Sequence, residues 1–116
     1  MMRFERVLAI GRPPMVIAAA QELPRPIQLR DALRILLVLA DAEPGRFPGA
    51  AARFGARLVS ERRLSVAEAQ LAFAAVATLA TAEPLPGGEA LCALLEHYGE
   101  REAAGYLEHW LRKRGG

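Results

Sequence analysis

The side chains in this chain that could do chemistry are few: His97, His109, Cys92, Asp31, Asp41 and a set of glutamates. Aliphatic hydroxyls are limited to Ser60, Ser65, Thr78 and Thr81, and asparagine is absent. Nucleophilic or acid-base catalysis needs several such groups converging on one reacting atom. Glu96-His97 and Glu108-His109 would be metal ligands if the two C-terminal helices packed antiparallel. Adjacent residues on a helix point about 100° apart, however, so neither pair easily shares an ion, and the histidine spacing matches no standard zinc pattern. Cys92 and His97 would make a thiol-imidazole pair, but five residues of helix turn them away from each other, and Cys92 follows Leu91 in an apolar run. Gly11, Gly45, Gly49 and Gly55 show neither dinucleotide nor triphosphate-loop spacing. Glu100 and Glu102 fall at a helix start, where negative charge complements the macrodipole. The expectation is a protein that is not an enzyme, with no metal and no cofactor.

Arginine offers a different chemistry. The chain has 15 basic residues, and Lys113 is the one lysine among them. Arg53 and Arg57 lie one helical turn apart, Arg46 lies two turns before Arg53, Arg62 and Arg63 follow, and Arg112-Lys113-Arg114 comes near the C-terminus. Guanidinium forks suit phosphate, and such a stripe would follow a nucleic-acid backbone. Against this stand a net charge of only +2, the absence of interleaved aromatics and the lack of asparagine for base readout. A solvated face whose arginines pair with Glu61 or complement a helix end is the plainer expectation, and a GC-rich coding sequence accounts for the arginine bias.

These residues are positioned by elements legible in the apolar pattern. At 116 residues, with 53% hydrophobic and 24% charged side chains, the chain is expected to form a single domain burying roughly two-thirds of its unfolded surface. Val7-Leu8-Ala9-Ile10 and Met15-Val16-Ile17 flank Gly11-Arg12-Pro13-Pro14, which predicts a short β-hairpin over 1–22. Leu23-Pro24-Arg25-Pro26 makes a stiff connector over 23–28. The rest, 29–113, reads as a helical bundle, so the fold class is mainly α: a compact bundle of four to five helices preceded by the hairpin. The first helix is expected over 29–42 and is apolar on every side from Ile35 to Ala40. The second, over 47–62, carries the stripe Phe47, Ala51, Phe54 and Leu58, with small residues at Gly49, Ala50, Ala52, Gly55 and Ala56 that admit a close neighbour.

Ser65-Val66-Ala67-Glu68 is a capping box, placing the start of a third helix at 65. That helix should run to about residue 82, where Glu83-Pro84-Leu85-Pro86-Gly87-Gly88 stops it. Two further helices over 89–98 and 100–113 present Leu91, Leu95 and Tyr98, and Ala103, Leu107, Trp110 and Leu111, with Gly99 as a left-handed cap between them.

The uncharged run from Ala69 to Ala82 is mostly alanine, short of the roughly 20 strongly apolar residues of a bilayer span. A lone Cys92 excludes an intramolecular disulfide, and a reducing cytoplasm is the expected compartment. The N-terminal apolar stretch is too short for a signal peptide. Two helices apolar all round are more than so short a chain readily encloses. The expected function is therefore non-catalytic: a helical module for protein-protein interaction or oligomerisation, its partner a second copy or another protein. Val7, Val16, Phe54, Phe73, Val76 and Trp110 are the candidate interface residues. Nucleic-acid contact through Arg46, Arg53, Arg57, Arg62, Arg63, Arg112, Lys113 and Arg114 is the alternative, and no membrane contact is expected.

Overall fold

The computed structural model describes residues 27–115. The expected hairpin, with Val7 and Val16, lies outside the described residues. Five helices occur among those described: α1 (Leu29–Ala42), α2 (Phe47–Arg62), α3 (Val66–Thr78), α4 (Leu85–His97) and α5 (Arg101–Gly115). Each packs on its neighbours in the chain, and α5 packs back onto α1, so the helices form a closed ring with no helix at its centre. Successive neighbours run antiparallel: Gly55 meets Phe73, Gly87 meets Thr78, and the Cys92 thiol donates to the Ala104 carbonyl across 3.7 Å. Four antiparallel steps, an even number of reversals, force the closing pair to be parallel. Arg30 accordingly reaches Glu102 (2.7 Å) near the start of α1 and α5, and Trp110 reaches Asp41 (3.0 Å) near their far ends.

The inside of the ring is filled by leucines from all five segments. Leu33, Leu36, Leu58, Val76, Leu79, Leu91, Leu95 and Leu107 are its largest fully buried side chains. Each such burial contributes about 1.5–3 kcal/mol relative to exposure. Because every helix is part of a wall, none needs to be apolar on all sides. In α1 the buried leucines take the inner face, while Ile35, Val38 and Ala40 are half-buried. In α3, Ala72, Ala75 and Val76 face inward, and the far side meets solvent. Neither α1 nor α3, the two helices read as apolar all round, is enclosed on every side: each is one wall of the ring.

The bounds of α1 and α2 match those read from the sequence. Arg63 closes α2 in the left-handed region at φ 52°, and Gly99 does the same before α5 at φ 80°, where glycine pays no steric cost. The Ser65 box forms as expected: its hydroxyl accepts from the Glu68 amide (3.1 Å), and the Glu68 carboxylate accepts from the Ser65 amide (2.9 Å).

Two boundaries differ from expectation. α3 ends at Thr78 rather than near residue 82, and α4 begins at Leu85 rather than 89. The Thr78 hydroxyl donates to the Ala75 carbonyl (2.7 Å) and the Thr81 hydroxyl to the Thr78 carbonyl (2.6 Å), local bonds that compete with helix continuation. Pro86 sits in the first turn of α4, where its missing N–H costs nothing. Gly87 and Gly88 act there as packing residues rather than breakers. A Cβ on Gly88 would lie 2.6 Å from both δ-carbons of Leu111, and one on Gly87 would collide with the Thr78 hydroxyl.

Candidate functional site

The ring leaves an apolar face of α3 uncovered. Its cap fixes where the helix starts and thereby which side chains turn outward. With Ala72, Ala75 and Val76 inward, 100° per residue places Gln70, Ala74 and Ala77 outward, with Leu71 and Phe73 on opposite shoulders. Val66 is 77% exposed, Leu71 46% and Phe73 41%. No charged residue occurs from Ala69 to Ala82. One edge of the Phe73 ring rests on Gly55 of α2: a Cβ at Gly55 would lie 2.5 Å from the ring. Of the small residues anticipated on α2, Gly55 is the one that seats this ring. Ala52 and Ala56, exposed on α2, extend the face past it.

At the α4 side, the Tyr98 hydroxyl donates to the Glu68 carboxylate (2.5 Å) and anchors the base of α3. That bond holds the Glu68 carboxyl below its ordinary value and pushes the Tyr98 phenol up.

Of the candidate interface residues within the described part of the chain, Phe73 alone is exposed. Phe54, Val76 and Trp110 are buried in the chain's own core, at 2%, 1% and 8% exposure, because their helix faces line the inside of the ring. They are corrected from interface to core residues. Leu71 and Val66 were not singled out from sequence. Their signal was present in the uncharged run and the cap, but choosing the outer face required knowing which neighbours α3 has.

The basic residues are dispersed over the surface and largely paired. Arg57 donates to Glu61 (2.8 Å) and to the Ile27 carbonyl (2.7 Å), as the plainer reading of that stripe expected. Arg46 pairs with Glu43 (3.2 Å), Arg112 lies 3.7 Å from Glu108, and Arg62 donates through Nε to Glu100 (2.9 Å). Arg114 pairs with Asp41 and stacks over Trp110, 3.5 Å from the ring centroid. Arg53, Arg63 and Lys113 make no ion pair within the described residues. Glu100 and Glu102 do more than complement their own helix, since Arg62 and Arg30 tie them to α2 and α1.

The candidate catalytic and metal groups do not converge. Among the described residues no group of three or more His, Cys, Asp and Glu is placed to hold a metal ion. His97 and His109 are exposed, and His97 stands edge-on to its neighbour Tyr98 at 5.0 Å. Burial, together with the carboxylates of Glu108, Glu96 and Glu89, pushes the Cys92 thiol up to about 11, which makes it a poor nucleophile. No described helix is long and apolar enough to cross a membrane. Compared with known proteins, the chain matches no family model, no curated protein sequence and no solved structure.

Proposed function

We propose that the protein is a non-catalytic helical interaction module whose outer α3 face binds protein, with a second copy of the chain as the partner that fits it. The observation that carries this reading is the exposure of Val66, Leu71 and Phe73 on a helix with no charge beyond Glu68. Exposed apolar side chains that border an uncharged face on both its shoulders are characteristic of a contact surface. Ala67, Ala74 and Ala77 between them keep the backbone accessible, so a facing helix packs closely. Because the face carries no charge, two copies related by a two-fold axis meet it without repulsion, and the same patch serves both sides. Nucleic-acid contact is the weaker reading, since most of the guanidiniums it needs already face carboxylates.

Light scattering across a micromolar concentration series tests the proposal. The chain should show a mass that rises toward the dimer, and Leu71→Glu, at an exposed position, should return it to the monomer with an unchanged far-UV circular dichroism spectrum. A monomeric mass throughout, or a dimer indifferent to Leu71→Glu and Val66→Glu, overturns it.

A further inference from the structure

A second surface differs in character from the α3 face. The antiparallel hairpin of α4 and α5 encloses an open groove of about 620 Å³ on its outer side. Its apolar lining is Leu85, 43% exposed, with the exposed Ala93 and the half-buried Cys92 from α4, and Leu111 from α5. Acidic side chains stand among these, Glu89 and Glu96 on α4 and Glu108 on α5. Glu89 and Glu96 make no ion pair within the described residues, and Arg112, the one cation lining the groove, stands 3.7 Å from Glu108. Three carboxylates against one guanidinium leave the groove with a formal charge of −2, in a chain whose overall charge is +2.

We propose that this α4–α5 groove docks a basic amphipathic helix from another protein. Charge complementarity selects the sign of the partner, and the groove's length selects its form. Leu85, Glu89, Ala93 and Glu96 follow one face of α4 over twelve residues, about 16 Å of helix at 1.5 Å per residue. A small amphiphile covers a fraction of that length, whereas three turns of helix lay apolar side chains at i, i+4 and i+7 along it. Lysines or arginines flanking that apolar stripe then meet Glu89 and Glu96 on one side and Glu108 on the other. The carboxylates repel nucleic acid from the same groove. Their field already registers on the half-buried Cys92 thiol, whose proton all three help to retain. The site is separate from the α3 face, and its occupation does not depend on whether the chain self-associates.

The test titrates the full-length chain into three fluorescent peptides of about 14 residues, roughly 20 Å as helix. One is a helix with a leucine stripe flanked by lysines, the second keeps the stripe and exchanges lysine for glutamate, and the third scrambles the first so that no stripe remains. The first peptide should bind at least about tenfold more tightly than the other two. Its affinity should weaken as added salt shortens the screening length. The exposed double reversal Glu89→Lys with Glu96→Lys should abolish binding, and Glu96→Gln should weaken it partly. Leu85→Ser should weaken it without changing the salt dependence, while Leu71→Glu on α3 should leave it unchanged. Equal binding of the ordered and scrambled basic peptides, no binding at all, or binding indifferent to Glu96→Gln and the double reversal overturns the proposal. Loss of binding in Leu71→Glu instead places the peptide on α3 and likewise overturns it.

Discussion

Replacing glycine by alanine at two helical positions should have unequal effects on stability. Gly105 is exposed on α5, and a Cβ there meets nothing within 4 Å. Alanine at that position restricts the unfolded chain and improves helix propensity, a stabilisation of about 0.5–1 kcal/mol. At Gly88 a similar gain is opposed by contact with the buried Leu111, whose two δ-carbons would lie 2.6 Å from the new methyl. Carbon atoms rest at about 3.5–4.0 Å, so either the buried Leu111 side chain swings aside or the α4–α5 wall opens by roughly 1 Å. Overpacking of this kind costs about 1–3 kcal/mol, which leaves Gly88→Ala anywhere from neutral to destabilised by about 2.5 kcal/mol. For a domain of this size each kcal/mol moves the thermal midpoint by about 4–8 °C, so the two variants should separate clearly. Far-UV circular dichroism during thermal and urea unfolding measures both, with Gly105→Ala as the internal control. Equal stabilisation of the two variants would refute the seating of the first turn of α4 against α5.

Ser65→Ala should cost about 1 kcal/mol, read as a lowered thermal midpoint, because it removes the cap that accepts from the Glu68 amide. Glu68 is held low first by the Tyr98 hydroxyl and then by the Ser65 amide, so its contribution to stability is complete above its ordinary value of 4.5 and is lost as pH falls through its lower folded value. Urea midpoints taken from about pH 6 down to about pH 3 should therefore fall more steeply for the native chain than for Glu68→Gln, and parallel slopes would contradict the bond. Trp110→Phe should destabilise by about 1–3 kcal/mol, since it removes the 3.0 Å donation to Asp41 and weakens the stack under Arg114. Alkylation of Cys92 at neutral pH should run about a hundredfold slower in the folded chain than in denaturant, as its pKa rises from 9.0 to about 11; similar rates would show an open, unperturbed thiol.

The helical reading succeeded where local chemistry decides the outcome. The Ser65 cap, the φ of Gly99 and the Phe47-Ala51-Phe54-Leu58 stripe all depend on neighbours within one or two turns, and each was legible. Pro86-Gly87-Gly88 misled because its local meaning is a stop, whereas its tertiary meaning is close approach to Thr78 and Leu111. The same limit explains the interface residues. Phe54, Val76 and Trp110 are large and apolar, but which side of each helix faces another is set by the ring, which involves pairs as distant as Arg30 and Glu102. The arginines were visible as a stripe, and their neutralisation by Glu43, Glu100 and Asp41 depends on turns and on distant packing.

The parallel seam between α1 and α5 joins residues about seventy positions apart in sequence, through Arg30–Glu102 and Trp110–Asp41. Every other seam links consecutive segments and costs little loop entropy to make. Hairpin-like pieces should therefore assemble early, with the last seam zipping afterwards, so damage there mainly quickens unfolding rather than slowing refolding. A chain stopped before α5 would leave one flank of the first helix without its wall and should be an open, sticky intermediate instead of a smaller stable protein.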